Sequence, residues 1–396
     1  MGFFQTILIV LFAVDFFVWW GCARLARRGA SRAVRLALHG FCLAQIIFLA
    51  GMLRVPLPQP VYLIIYIWHL LVAPVALVII LFWLTGRTLA GILRFFKPPP
   101  APASTPAAGG VSRREFLGAV TALTPPVLTF PLSAFAATQL SCFRIRRLTV
   151  SLPTLPAALD GMTIALLADL HLGQFTGGAV VEKIIQATND LQADLTLFAG
   201  DLINSSSLTL LPMGIEVLRR LRGPLVLVEG NHDVGDNGTL FDREVKAAGF
   251  CLLLDETVTL SVRGVPVQVL GARWDGPKNW QNRGDERGLA ASMDALLRQR
   301  NPAAFPILLA HHPHAWDYCG DIPLTLAGHT HGGQLMVDEH HGIGPMMFRY
   351  WSGLYTLPAT AGHPAKALVV SNGVGNWFPL RTGAPAEIIH LTLRRG

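Results

Sequence analysis

Charge is scarce in this 396-residue chain: Asp, Glu, Lys and Arg make up 14% of it, against 52% hydrophobic residues. That balance argues against an ordinary soluble protein and for attachment to a membrane. Cysteine is sparse as well. Cys22, Cys42, Cys142, Cys251 and Cys319 are scattered and odd in number, with no CxxC pair. The pattern excludes a disulfide framework and reads as free thiols, mostly buried. Also missing from the C-terminal part is any long basic stretch or RNA-binding signature, so nucleic acid is not expected as a partner. The net charge of +7 has a plainer origin. Much of it flanks apolar segments at 24–35 and 87–114, where basic residues set orientation in a bilayer.

What is present begins with apolar runs. Phe3–Trp20, Ala33–Leu53 and Val61–Thr85 are each long enough to be a candidate span, so residues 1–96 read as a helical module of about three spans. Asp15 and His69 lie inside two of these runs, where ionisable groups serve either function or packing. Arg24, Arg27, Arg28, Arg32 and Arg35 separate the first two runs, and only Arg54 separates the second from the third. Arg87, Arg94, Lys97, Arg113 and Arg114 follow. This alternation places 24–35 and 87–114 in the cytoplasm and the N-terminus outside. Residues 97–111 form a Pro/Ala linker, expected to be extended.

Residues 112–138 open on Ser112-Arg113-Arg114-Glu115-Phe116-Leu117 and continue as a weakly apolar stretch to Ala134-Phe135-Ala136. They resemble a twin-arginine export signal or form a fourth span, and either would put the rest of the chain on the periplasmic side of an inner membrane. Pro125, Pro126 and Pro131 speak against a regular helix, and Arg144, Arg146 and Arg147 would sit on the wrong side. A segment lying on the inner surface would leave the C-terminal part cytoplasmic.

From about Leu148 short apolar strands alternate with amphipathic helices, a pattern of one α/β domain over 145–393. Expected strands at 163–168, 195–199, 225–228, 306–310 and 323–327 each run into polar residues. These are Asp169-Leu170-His171, Gly200-Asp201, Gly230-Asn231-His232-Asp233, His311 and Gly328-His329-Thr330-His331-Gly332. From a Gly-flanked turn two histidines one residue apart can each reach a different ion. Histidine and carboxylate donors without thiolates favour manganese, iron or zinc over a structural zinc site. Two ions about 3.5–4 Å apart can clamp a phosphate during in-line displacement.

The motifs DxH, GD, GNHD, H and GHTH, in this order, resemble those of the calcineurin-like metallophosphoesterase superfamily. The likeness is strongest to bacterial transmembrane or twin-arginine-exported members, some linked to UDP-2,3-diacylglucosamine hydrolysis. The resemblance covers about residues 145–393 and implies a four-layer αββα sandwich of two mixed sheets behind the membrane module. It implies that Asp169, His171 and His331 hold one divalent ion, that Asn231, His311 and His329 hold a second, and that Asp201 bridges them. A hydroxide between the ions would be the nucleophile. His232 would protonate the leaving oxygen without being a ligand. Many relatives carry an acidic residue three positions after the bridging Asp, where this chain has Asn204. Its amide can hold the His232 ring without stabilising imidazolium by charge, so Asn204→Asp is expected to alter the acidic side of the pH–rate profile.

Each motif has a plainer reading when taken alone: a solvent-facing pair, a turn, a helix cap. Their joint order and strand-end placement decide for the metal site. Other residues do not inherit that reading. Asp233 either anchors the His232 loop or caps the next segment. Arg381 either grips a phosphate as a bidentate cation or supports the C-terminal strand. His312 and His314 read as loop residues, and His340, His341, His363 and His390 as surface or packing residues. Trp351, Trp377 and Phe378 can face an acyl chain, and Trp274 and Trp280 fall in an insertion at 271–288. The expected function is hydrolysis of a phosphomonoester, phosphodiester or pyrophosphate bond, on a lipid-linked or cell-envelope substrate. A UDP-2,3-diacylglucosamine-type pyrophosphate would need the site on the cytoplasmic face. The competing readings are a non-catalytic membrane scaffold or sensor and, third, a nuclease.

Overall fold

The computed structural model describes residues 3–52, 57–95, 112–204, 209–235, 237–274, 286–361 and 364–396. The linker expected at 97–111, Trp280 and His363 lie outside them. The chain divides into two compact units, Met1–Ala137 and Thr138–Gly396.

The first unit is helical: α1 (Phe3–Gly29), α2 (Arg32–Met52), α3 (Gln59–Ile67), a π-helical turn at Trp68–Val72, α4 (Ala73–Phe95) and most of α5 (Arg113–Gln139). Among the described residues, four stretches are long and apolar enough to cross a membrane: Thr6–Arg27, Arg32–Gly51, Gln59–Leu93 and Glu115–Gln139. The doubt that Pro125, Pro126 and Pro131 raised about the last is corrected, since α5 runs through all three. Each proline removes one ladder bond from a 27-residue helix and leaves the rest of the ladder standing. Four hydroxyls of this apolar helix are bonded internally. Thr121, Thr124, Thr129 and Ser133 donate to carbonyls four residues earlier.

Asp15 and His69, which showed no partner in sequence, meet each other. Asp15 Oδ2 lies 2.8 Å from His69 Nε2 and Asp15 Oδ1 accepts from Trp68 Nε1, also at 2.8 Å. His69 Nδ1 lies 2.8 Å from the Ile65 carbonyl. All three side chains are buried, so the π-turn presents two adjacent polar side chains to one carboxylate on α1.

The second unit is a sandwich of two six-stranded mixed sheets. One runs β1 (Arg144–Ser151), β12 (Glu387–Arg394), β2 (Thr163–Leu167), β3 (Leu195–Ala199), β4 (Leu225–Val228), β5 (Cys251–Leu253). The other runs β10 (Gly353–Leu357), β11 (Lys366–Val370), β9 (Leu324–Ala327), β8 (Phe305–Leu309), β7 (Val265–Gly271), β6 (Glu256–Val262). Parallel pairing of β2, β3 and β4 in one sheet, and of β7, β8 and β9 in the other, points their carboxyl ends the same way within each.

Alternation along each strand builds the layers. Ile164, Leu166, Leu195, Leu197, Val226 and Val228 face Val267, Val269, Ile307, Leu309, Leu324 and Leu326 between the sheets. On the outer side of the first sheet, Leu167, Phe198 and Leu227 pack against α6 (Ala179–Asp190), α7 (Leu210–Arg220) and α9 (Gly238–Ala247). On the outer side of the second, Leu270, Leu308 and Leu368 pack against α10 (Glu286–Arg298). The result is the four-layer αββα arrangement. Two short helices, α8 (Asn231–Val234) and α11 (Ile343–Met347), lie in the loops beyond β4 and β9. Arg144 and Arg146 both pair with the buried Glu387, and Arg147 bonds His390, so these three arginines belong to β1 packing.

Candidate metal centre

Five strands end at the same place. β2 delivers Asp169 and His171, β3 delivers Asp201, β4 delivers Asn231 and His232, β8 delivers His311, and β9 delivers His329 and His331. The chain leaves extended geometry at these strand ends. Asp169, His171, Asp201, His329 and His331 all have positive φ (53°, 47°, 58°, 73° and 50°). They are five of the nine non-glycine residues with positive φ among those described, a concentration of backbone strain at one site. Two glycines permit the close approach. A Cβ on Gly230 would overlap Oδ1 of Asp201, and one on Gly328 would lie 2.6 Å from Oδ2 of Asp169.

The side chains form two groups that share Asp201. In the first, His171 Nε2 and His331 Nε2 are 3.1 Å apart and His331 Nε2 is 3.4 Å from Asp169 Oδ1. In the second, His329 Nδ1 lies 2.9 Å from Asn231 Oδ1 and 3.2 Å from His311 Nε2, which itself lies 3.1 Å from Asn231 Oδ1. Asp201 Oδ2 stands between the groups, 3.4 Å from His171 Nε2 and 3.3 Å from His311 Nε2. Lone-pair atoms converge here at distances where only a proton or a cation can sit between them. Asp169, His171 and His331 offer atoms within 4.8 Å of one another, and so do Asp169, Asp201 and His311. With imidazole, carboxylate and amide donors and no thiolate, the set fits hard or borderline divalent cations.

The charges follow from burial. Burial pushes Asp169 up to about 7, reinforced by the Asp201 carboxylate. Burial works on Asp201 too, but His311, His232 and His171 outweigh it and hold this carboxylate well below its ordinary range. His171, His329 and His331 are driven well below the ordinary imidazole value, by burial first and then by neighbouring rings. They are therefore neutral, as ligands must be. Burial opposes protonation of His311 as well, yet its contact with Asp201 carries it up to about 9.

Asp233 is an anchor. Fully buried, it accepts from the main-chain N–H groups of Asp201, Leu202, Ile203 and Gly230, tying the Asp201 turn to the His232 turn. His232 stands beside His171, ring centroids 4.6 Å apart. Its main-chain N–H donates to Asp201 Oδ1 at 2.8 Å.

Two expectations are corrected. The group 3.0 Å from His232 Nδ1 is the Asn204 main-chain carbonyl, whereas the amide oxygen of Asn204 is buried with no hydrogen-bond partner. A main-chain acceptor places the proton on Nδ1 whatever the side chain, which is why residue type at 204 misled. Arg381 does not present its guanidinium to a phosphate. It is 5% exposed and every donor is spent inside the protein. Nε donates to Asn376 Oδ1, Nη1 to the carbonyls of His331, Asn372 and Ala384, and Nη2 to Gly375 O and His331 Nδ1.

Trp274 roofs the second group, its ring 5.3 Å from that of His311 and 5.0 Å from that of His329. Phe348 stands 5.9 Å from His329 and Trp377 stands 6.1 Å from His331, while Phe378 is buried. His312 and His314 stack on each other behind His329. His340 and His341 are exposed. No pattern in the chain singles out Asn376 or Gln139, because both act on Arg381 across tertiary structure.

Comparison with known proteins agrees with this geometry. The calcineurin-like phosphoesterase family matches residues 162–333, which hold all seven candidate ligands and His232. An uncharacterized metallophosphoesterase of Bacillus subtilis, YkuE, is 30% identical over 297 residues, covering 72% of this chain and 98% of that protein. A bovine transmembrane protein with a metallophosphoesterase domain is 29% identical over 266 residues, 62% of this chain and 56% of its own length. The UDP-2,3-diacylglucosamine pyrophosphatase LpxG of Chlamydia trachomatis is 25% identical over 320 residues, 68% of this chain and 94% of that protein. The chain belongs to the calcineurin-like metallophosphoesterases, metal-dependent hydrolases of phosphoesters.

Proposed function

We propose that the second unit hydrolyses a lipid-linked phosphoester or pyrophosphate with two divalent cations. Asp169, His171 and His331 would hold one, Asn231, His311 and His329 the other, with Asp201 shared. The observation that carries this reading is the convergence of two donor groups on one buried carboxylate, Oδ2 of Asp201, 3.4 and 3.3 Å from a ring nitrogen of each. Cations bound there supply Lewis acidity toward the phosphoryl oxygens and an activated water. The protein supplies the rest. Strained strand ends fix the donors, Asp233 locks the two turns that carry Asp201 and His232, and the aromatic walls limit water. With Nδ1 held by the Asn204 carbonyl, a protonated His232 carries its second proton on Nε2, where it can pass to the leaving oxygen.

The lipid reading rests on the segment that follows the His331 turn. Val337 is 86% and Met346 84% exposed, with Ile343 and Met347 exposed beside them in sequence. Large apolar side chains in a loop leading from the site suit an acyl chain or a bilayer surface. The likeness to a pyrophosphatase of a diacylated nucleotide sugar supports the same class. If the four apolar helices are spans, the basic residues at 24–35 and 87–114 favour a non-cytoplasmic second unit. In this reading α5 is the fourth span, and Arg144, Arg146 and Arg147 do not oppose the orientation because they are committed to Glu387 and His390.

The test is turnover of bis-p-nitrophenyl phosphate by the full chain in detergent, prepared metal-free and supplied with manganese, zinc, magnesium or nothing. Metal-dependent turnover that disappears in Asp201→Asn supports the reading, and turnover indifferent to metal or to Asp201 sinks it. Labelling of the exposed Cys142 by a membrane-impermeant maleimide on intact spheroplasts would place the unit outside. Labelling only after lysis would place it in the cytoplasm, where a UDP-diacylglucosamine-type substrate would be met.

A further inference from the structure

We propose that Gln139, the last residue of α5, is a positioning residue for the metal centre, acting through Arg381 on His331. This rests on the reading of His331 as a metal ligand. The side-chain amide of Gln139 closes a two-bond clamp on the main chain of Arg381. Nε2 donates to Arg381 O at 2.7 Å, and Oε1 accepts from Arg381 N at 2.9 Å. Both residues belong to the second unit, 242 positions apart in sequence. The next residue joins in, for Leu140 O accepts from Asn376 Nδ2 at 3.5 Å. Asn376 Oδ1 in turn accepts from Arg381 Nε at 3.2 Å. The guanidinium so held donates to the His331 carbonyl (3.4 Å) and lies 3.1 Å from ring Nδ1, with Nε2 toward Asp169 and His171.

Why should this matter to the ion rather than to folding alone? Outer partners that fix the ring plane of a metal-bound histidine typically change metal affinity or activity about 10–100-fold when removed. Arg381 acts on one donor group only, by holding the main chain that carries His331. The main chain of Arg381 is held by Gln139, while its neighbour Thr382 is bridged to Leu335.

The experiment titrates manganese into the metal-free full chain in detergent micelles, by calorimetry and electron paramagnetic resonance, alongside His331→Ala, Gln139→Leu and Gln139→Glu. The unmodified chain should bind two ions and His331→Ala should lose one. Gln139→Leu, without either clamp bond, should weaken the ion lost in His331→Ala about 10–100-fold and leave the other unchanged. Gln139→Glu keeps the acceptor for Arg381 N but lacks the donor to Arg381 O, so its loss should be smaller. It decides the matter if Gln139→Leu fails to fold. Unmodified affinity at both sites in the Gln139 variants would overturn the proposal, as would equal weakening of both together with a lowered Tm. If the unmodified chain binds no ion, or His331→Ala binds as the unmodified chain does, the metal-site reading itself fails and the relay with it.

Discussion

The smallest unit of this site is a residue whose backbone has been bent to aim its side chain. Gly230 and Gly328 make that bending possible by leaving room for Asp201 and Asp169. Gly230→Ala would drive a methyl into the Asp201 carboxylate, so manganese binding by calorimetry should be lost while far-UV circular dichroism keeps its native shape. His232 gives a second prediction. General acid catalysis is worth about 10²–10⁴-fold when the leaving group needs a proton. His232→Ala should therefore lower kcat far more for an alkyl phosphoester than for bis-p-nitrophenyl phosphate, whose phenolate leaves without help. Equal losses on the two substrates would remove the acid role. At position 204 the contact to His232 is a carbonyl. Asn204→Ala keeps it and should leave the acidic limb of the pH–rate profile where it is.

Helix and strand ends, more than their interiors, set the properties of the elements. In the first unit a π-turn brings Trp68 and His69 onto Asp15 of α1, tying the two segments through polar groups that have no water to turn to. Removing one partner strands the others at a cost of about 1–3 kcal/mol each. Asp15→Leu should thus destabilise the detergent-solubilised chain more than the double replacement of Asp15 and His69 by leucine, read from thermal unfolding. In the second unit β2, β3, β4, β8 and β9 were legible from apolar runs alone. β5, β6 and β10 were not, since they are short or half-exposed edge segments with mixed composition.

For the whole molecule, the buried charges make stability depend on bound cations. Burial lifts Glu229 to about 9, helped by the neighbouring Asp242 carboxylate, and contact with Asp201 lifts His311 to about 9. Both groups hold a proton in the folded state that the unfolded chain has given up at neutral pH and above. The folded state binds more protons, so stability falls as pH rises. The lowered rings of His171, His329 and His331 act in the opposite sense, but only below their unfolded value, and are spent by pH 7. The Tm of the metal-free chain should accordingly drop between pH 7 and about 9. Saturating manganese should flatten that drop, because cations replace the proton at His311. A metal-free Tm that rises over this interval would contradict the charge distribution.

The sequence by itself determined the candidate donor set, an α/β domain and the apolar module. Each is written in local pattern: polar residues at the ends of apolar runs, glycines beside them, and runs long enough to cross a bilayer. Only the tertiary structure decided what the longer side chains touch. Arg381 had two readings in sequence, a phosphate clamp or a support for the C-terminal strand, because a guanidinium in a loop near such a site can do either. Buried among carbonyls from residues 331, 372, 375 and 384, it is instead a strut for His331. Gln139 and Asp233 likewise take their meaning from partners that chain order does not reveal. A hydrogen bond between residues 242 positions apart leaves no periodicity to read, because it is fixed by where the strands and helices finally pack.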